Sequence, residues 1–142
     1  MARTESESIY LDLRAFLKEA RKAGYEMEAR NRVDYIVPLS NALRECIRVF
    51  IRCHKERDAV RKFALVEQLD TEFTIARTEF HIADDEHVWR GKKDEYGNCK
   101  CALRMADLMA KIDDGIGRWR TSMLKGRPAP RNAVILRQEA AV

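Results

Sequence analysis

Strong helix breakers are scarce in this chain: its 142 residues include only 3 Pro and 6 Gly. Proline removes a backbone donor and glycine adds conformational entropy, so their scarcity leaves long stretches with no local reason to stop a helix. Long apolar runs are also lacking. The uninterrupted ones are a few residues, far short of the ~20 that a membrane-spanning helix needs. No stretch alternates apolar and polar long enough to make a strand. Where an export signal would place an apolar segment, the N-terminus carries Arg3, Glu5 and Glu7. The chain therefore reads as cytoplasmic, and its 4 Cys as reduced thiols. A Gly-rich phosphate loop, a Gly-x-Ser-x-Gly elbow and a His-Glu-x-x-His helix are all missing.

Apolar residues make up 46% of the chain and charged residues 35%, a balance that suits one globular domain with one core. Four amphipathic segments follow in order. The first has the stripe Ile9, Leu13, Phe16 and Ala20, with Ser6 or Ser8 as cap and Gly24 as a natural stop, or at some cost a run on through Gly24 to Met27. The second carries Ile36, Leu39, Leu43, Cys46, Phe50 and Cys53, widened by Ile47, Val49 and Ile51. Its start is ambiguous: either Asn31 caps it and Pro38 kinks it, or the regular helix begins at Pro38 or Ser40. A stripe this wide predicts a second buried surface, such as a subunit interface. Asp58 caps the third, whose stripe runs Phe63, Val66, Leu69, Phe73, Ala76, Phe80, Ala83. A charged surface loop over 90–98 precedes the fourth. There Ala102, Met105, Met109, Ile112, Ile116, Trp119 and Met123 step by three and four, the a/d seam of bundles. Gly115 and Gly117 beside this seam predict close approach by another helix or a local bend.

The expected architecture is all-α, an antiparallel up-down-up-down four-helix bundle over residues 1–125, with helices near 6–24, 32–56, 58–86 and 98–125. Residues 126–142, opening with Gly126, Pro128 and Pro130, read as a flexible C-terminal tail.

Catalytic chemistry finds little support. A carboxylate-bridged di-metal centre needs two acid-x-x-His pairs plus two further acids, and only Asp84 with His87 has that spacing. Cys99 and Cys101 are closer in sequence than zinc ligands usually are, and small apolar core positions explain Cys46 and Cys53. The expectation is no catalysis, no cofactor and no metal.

Cations are patterned more clearly. Residues 44–62 hold 7 basic side chains against 3 acidic, residues 63–95 hold 4 against 9, and residues 111–131 hold 6 against 2. On the second helix Arg44, Arg48, Arg52 and Lys55 recur along one face, with Arg57, Arg61 and Lys62 at its end. On the fourth, Lys111, Arg118, Arg120 and Lys125 follow a second face. Such rows either solvate a helix or track phosphates without reading bases.

The whole pattern resembles the four-helix-bundle family of accessory variability determinant (Avd) proteins of diversity-generating retroelements, which includes the proteins encoded in 23S rRNA intervening sequences. Three stretches over about residues 9–127 carry the resemblance: LSNALRECIRVFIRCHKERD, KFALVEQLDTEFTIARTEF and ADLMAKIDDGIGRWRTSM. The last is similar to the family's Gly-Trp helix terminus, here Gly115, Gly117 and Trp119. Gly24-Tyr25-Glu26 stands where the family usually ends its first helix with proline. The resemblance implies a non-enzymatic accessory subunit, a homopentameric barrel that binds the element's reverse transcriptase and its template RNA and cDNA in support of mutagenic reverse transcription. An rRNA intervening-sequence type of bundle is the alternative.

Overall fold

The computed structural model describes residues 4–125, and the expected tail over 126–142 lies outside them. Helix α1 spans Glu5–Tyr25. A single turn, α2 (Ala29–Asn31), leads through a π-helical turn (Arg32–Ile36) into α3 (Val37–Lys55). Helices α4 (Ala59–Asp85) and α5 (Lys100–Lys125) complete the chain. Among the described residues no strand occurs, only an isolated antiparallel bridge between Lys93 and Cys99. No described helix is long and apolar enough to cross a membrane.

The helix starts show which local signals win. Thr4, rather than Ser6 or Ser8, caps α1: its hydroxyl accepts from the Glu7 N–H while the Glu7 carboxylate accepts from the Thr4 N–H. This reciprocal box satisfies two otherwise unpaired donors, an advantage a lone serine cannot match. Asp58 caps α4 as expected, accepting from Arg61 N–H at 2.9 Å. Asn31 makes no capping bond. The wide turn at Arg32–Ile36 instead delivers the chain so that Pro38 falls in the first turn of α3, where its missing N–H costs nothing. Arg32 turns back to donate to Gly24 O at 2.8 Å and Met27 O at 3.3 Å, which satisfies carbonyls at the end of α1 with a cation suited to that pole.

Each long helix packs mainly on two of the other three: α1 on α3 and α5, and α4 on α3 and α5. Near the start of α1, Tyr10 meets Phe50 near the end of α3, with ring centroids 5.4 Å apart. Glu5 and Glu19, towards the two ends of α1, pair with Arg118 and Arg104 towards the opposite ends of α5. The core between them contains Phe16, Leu43, Leu69, Phe73, Met105 and Ile112, all fully buried. Burying a side chain of this size stabilises by roughly 1.5–3 kcal/mol.

Two glycines mark close approach. A Cβ on Gly115 would lie 2.9 Å from Cγ1 of Ile9, so α1 sits against α5 there. Gly24 lies in the last turn of α1, which ends one residue later at Tyr25; it is buried, and a Cβ would meet Ile36 at 3.1 Å. Gly117 has open space, so the close approach expected of the pair is carried by Gly115.

The wide stripe on α3 is largely consumed by this core. Ile47 and Val49 are buried, while Val37 and Ile51 remain 45% and 39% exposed. The larger surplus lies on α4. There Val60, Ile75 and Ile82 are exposed, and with Ala64, Thr71 and Thr78 they step by three, four and seven along the outer face, a second seam at helical spacing.

Candidate nucleic-acid interface

Rows of cations at the same spacing have different surroundings on α3 and on α5. On α5, Arg118 donates to both carboxylate oxygens of Glu5, at 2.9 and 3.1 Å. Half-buried Arg120 makes a two-pronged contact with Glu67 and reaches Asp70 at 3.5 Å. Lys111 pairs with Asp107 one turn away at 3.1 Å. Arg104 reaches Glu19, and Arg77 of α4 reaches Asp113. These contacts tie α5 to α1 and α4. Lys125 is exposed and has no ion pair among the described residues.

On α3 the picture reverses. Arg44, Arg52 and Lys55 are exposed and make no ion pair among the described residues, and Arg48 meets only Glu45 of its own helix at 3.1 Å. At the turn, Arg57 and Arg61 are exposed and Lys62 is half-buried. The carboxylates there serve the backbone instead: Glu56 accepts from the N–H groups of Arg57 and Asp58, and Asp58 from that of Arg61.

Where α1 crosses α3, an open groove of about 800 Å³ gathers Arg14, Lys18, Arg21 and Lys22 from α1 with Arg44 and Arg48 from α3. None of its lining residues is acidic. Glu19 reaches Lys22 only at 3.9 Å and is shared with Arg104. Arg14 is held over the Tyr10 ring, 5.9 Å from its centroid, a contact that leaves its charge unneutralised. Tyr25 borders the groove and is 77% exposed, with the Arg32 guanidinium over its ring at 5.9 Å. Six cations converging on one concavity create a positive potential that no single row would. The exposed tyrosine offers a face on which a base can stack.

Below it, towards the start of α1, a smaller and mostly apolar groove of about 380 Å³ is lined by Tyr10, Leu11, Phe50 and Ile51 together with Ser6, Glu7, His54 and Lys55. One side of the molecule thus carries a basic concavity and an apolar one along a single helix crossing.

The structure brings Arg44 and Arg48 into the groove, with Arg52 and Lys55 further along α3, Arg57 in the turn after it and Arg61 in the first turn of α4. Sequence reasoning missed Arg14, Lys18 and Arg21. Their spacing of four and three was a readable signal, masked because residues 1–43 balance 7 basic against 7 acidic side chains. Asp84 and His87 are exposed at the end of α4, where the Asp84 carboxylate accepts from the Trp89 indole N–H at 3.0 Å. Among the described residues, no three or more His, Cys, Asp or Glu side chains gather as a metal ion would require. No family model, curated protein or solved structure matches the chain.

Proposed function

We propose that this chain is a non-enzymatic accessory subunit of a diversity-generating retroelement, a basic oligomeric scaffold that holds template RNA or cDNA by its phosphate backbone and docks the element's reverse transcriptase in the cytoplasm. The observation that carries the reading is the groove in which Arg14, Lys18, Arg21, Lys22, Arg44 and Arg48 converge with no acidic lining residue. Cations so arranged follow a polyanion without reading its sequence. The antiparallel up-down-up-down bundle expected of four helices with short connections is supported by the pairing of Glu5 with Arg118, Glu19 with Arg104 and Tyr10 with Phe50.

A homo-oligomer, with five subunits implied by the resemblance, is supported by the exposed seam on α4 at Val60, Ile75 and Ile82. Repeating the groove around a ring would let weak contacts add by avidity. The apolar groove at Tyr10, Leu11 and Ile51 is the surface assigned to the protein partner, since it adjoins the basic one.

The test is binding of a fluorescent single-stranded RNA of mixed sequence, together with a search beside the gene for a reverse transcriptase and its co-purification with the chain. The reading expects sequence-tolerant, salt-sensitive binding and stoichiometric co-purification. Light scattering should give a closed oligomer. A monomer at micromolar concentration that binds neither RNA nor the enzyme at low salt contradicts it.

A further inference from the structure

The fourteen-residue connection between α4 and α5 ends on a pair of thiols held almost in contact. The Lys93–Cys99 bridge and the bond from Lys100 N–H to Lys92 O at 2.9 Å fix Cys99 at the entry to α5. Cys101 follows in the first helical turn. Their Sγ atoms are 3.0 Å apart, and both thiols point at one acceptor, the Arg90 carbonyl, at 3.1 Å for Cys99 and 3.7 Å for Cys101. Both are half-buried. The other two cysteines are buried, and burial pushes the Cys46 thiol up to about 12 and the Cys53 thiol up to about 11.

We infer that Cys99 and Cys101 form a redox-active dithiol, a modification site that a small anionic disulfide such as oxidised glutathione converts to an intramolecular Cys-Lys-Cys disulfide. Bond formation needs the sulfurs to close from 3.0 Å to about 2.05 Å, a movement within side-chain reach. A cavity of about 340 Å³ opens beside Cys99, with Arg90 and Lys93 in its wall as cations for the oxidant's carboxylates and with one acid, Asp84, which is engaged by the Trp89 indole N–H.

The exchange balances in two steps. The Cys99 thiol loses its proton to solvent and its sulfur attacks one sulfur of the oxidant, breaking the oxidant's S–S bond and releasing one thiolate. The Cys101 sulfur, also deprotonated, then attacks Cys99 in the mixed disulfide and releases the second thiolate. Two electrons pass to the oxidant, which leaves as two thiols. Burial and the hydrogen bond to Cys99 hold the Cys101 thiol up at about 12, which makes it the later attacker.

The test equilibrates the full chain in a series of reduced-to-oxidised glutathione ratios, traps free thiols by alkylation, and maps peptides by mass. The expected result is loss of two hydrogens confined to the peptide holding Cys99 and Cys101, reversed by dithiothreitol, at a ratio that does not change with protein concentration. C99S and C101S should each abolish that product and instead retain a glutathione adduct or stay reduced, while C46A/C53A should leave it intact. Both thiols of the unsubstituted chain staying alkylatable at every ratio, stable glutathione adducts on it, or disulfides between chains would overturn the inference.

Discussion

Helices α3 and α5 carry cations at similar spacing, yet the two sets have different surroundings. On α5, Arg104, Arg118 and Arg120 each face a carboxylate on another helix. Among the described residues Arg44 and Arg52 of α3 make no ion pair, and α1 adds Lys18 and Arg21 to the groove that Arg44 borders. A cation that already has a carboxylate must lose it to bind a phosphate, and gains little by the exchange. An unpaired one releases the full benefit of displaced counterions. Spacing alone therefore does not identify a binding row; the charge on the facing helix decides.

The largest effect should come from the basic groove between α1 and α3. Reversing Arg14, Lys18, Arg44 and Arg48 to Glu should weaken single-stranded RNA binding by roughly a hundredfold or more at moderate salt, because each lost phosphate contact forfeits counterion release. The unfolding free energy of that variant in urea should stay within about 0.5 kcal/mol of the parent, since exposed charges contribute little to stability. Close packing comes next. Gly115→Val would press on Ile9 and Glu5 and should cost about 1–3 kcal/mol in urea unfolding. Arg120→Ala should destabilise by about 1–2 kcal/mol, since it leaves Glu67 and Asp70 facing one another half-buried, while RNA affinity changes less than about threefold. The smallest effect has the opposite sign. Gly117→Ala meets nothing within 4 Å and should raise stability by up to about 1 kcal/mol.

Much of the fold was legible because its signals are local. The third-helix stripe from Phe63 to Ala83 is buried at every position named, and Asp58 caps that helix. The a/d seam placed Met105, Ile112 and Ile116 in the core. What sequence pattern missed depends on contacts between helices. Gly24 has the look of a terminator and also serves as a contact surface for Ile36. Ile47 and Val49, read as surplus for a second interface, are covered by the same core, and the exposed seam falls on α4 instead. For the candidate site, the α3 row was found by spacing, whereas the contribution of α1 vanished into a balanced charge count. Nothing in the sequence distinguishes Arg118, clamped on Glu5 from 113 residues away, from Arg44, which makes no ion pair among the described residues.

The most direct measurement is the salt dependence of RNA affinity for three proteins: the parent chain, the variant with Arg14, Lys18, Arg44 and Arg48 changed to Gln, and the variant with Arg118 and Arg120 changed to Gln. Plotting the logarithm of affinity against that of salt counts the phosphates neutralised, at about 0.7 per contact on a single strand. The slope should fall by roughly two to three for the groove variant and remain unchanged for the α5 variant. Equal slopes for parent and groove variant, or a larger drop for the α5 variant, would contradict the assignment of the basic α1–α3 face as the nucleic-acid surface.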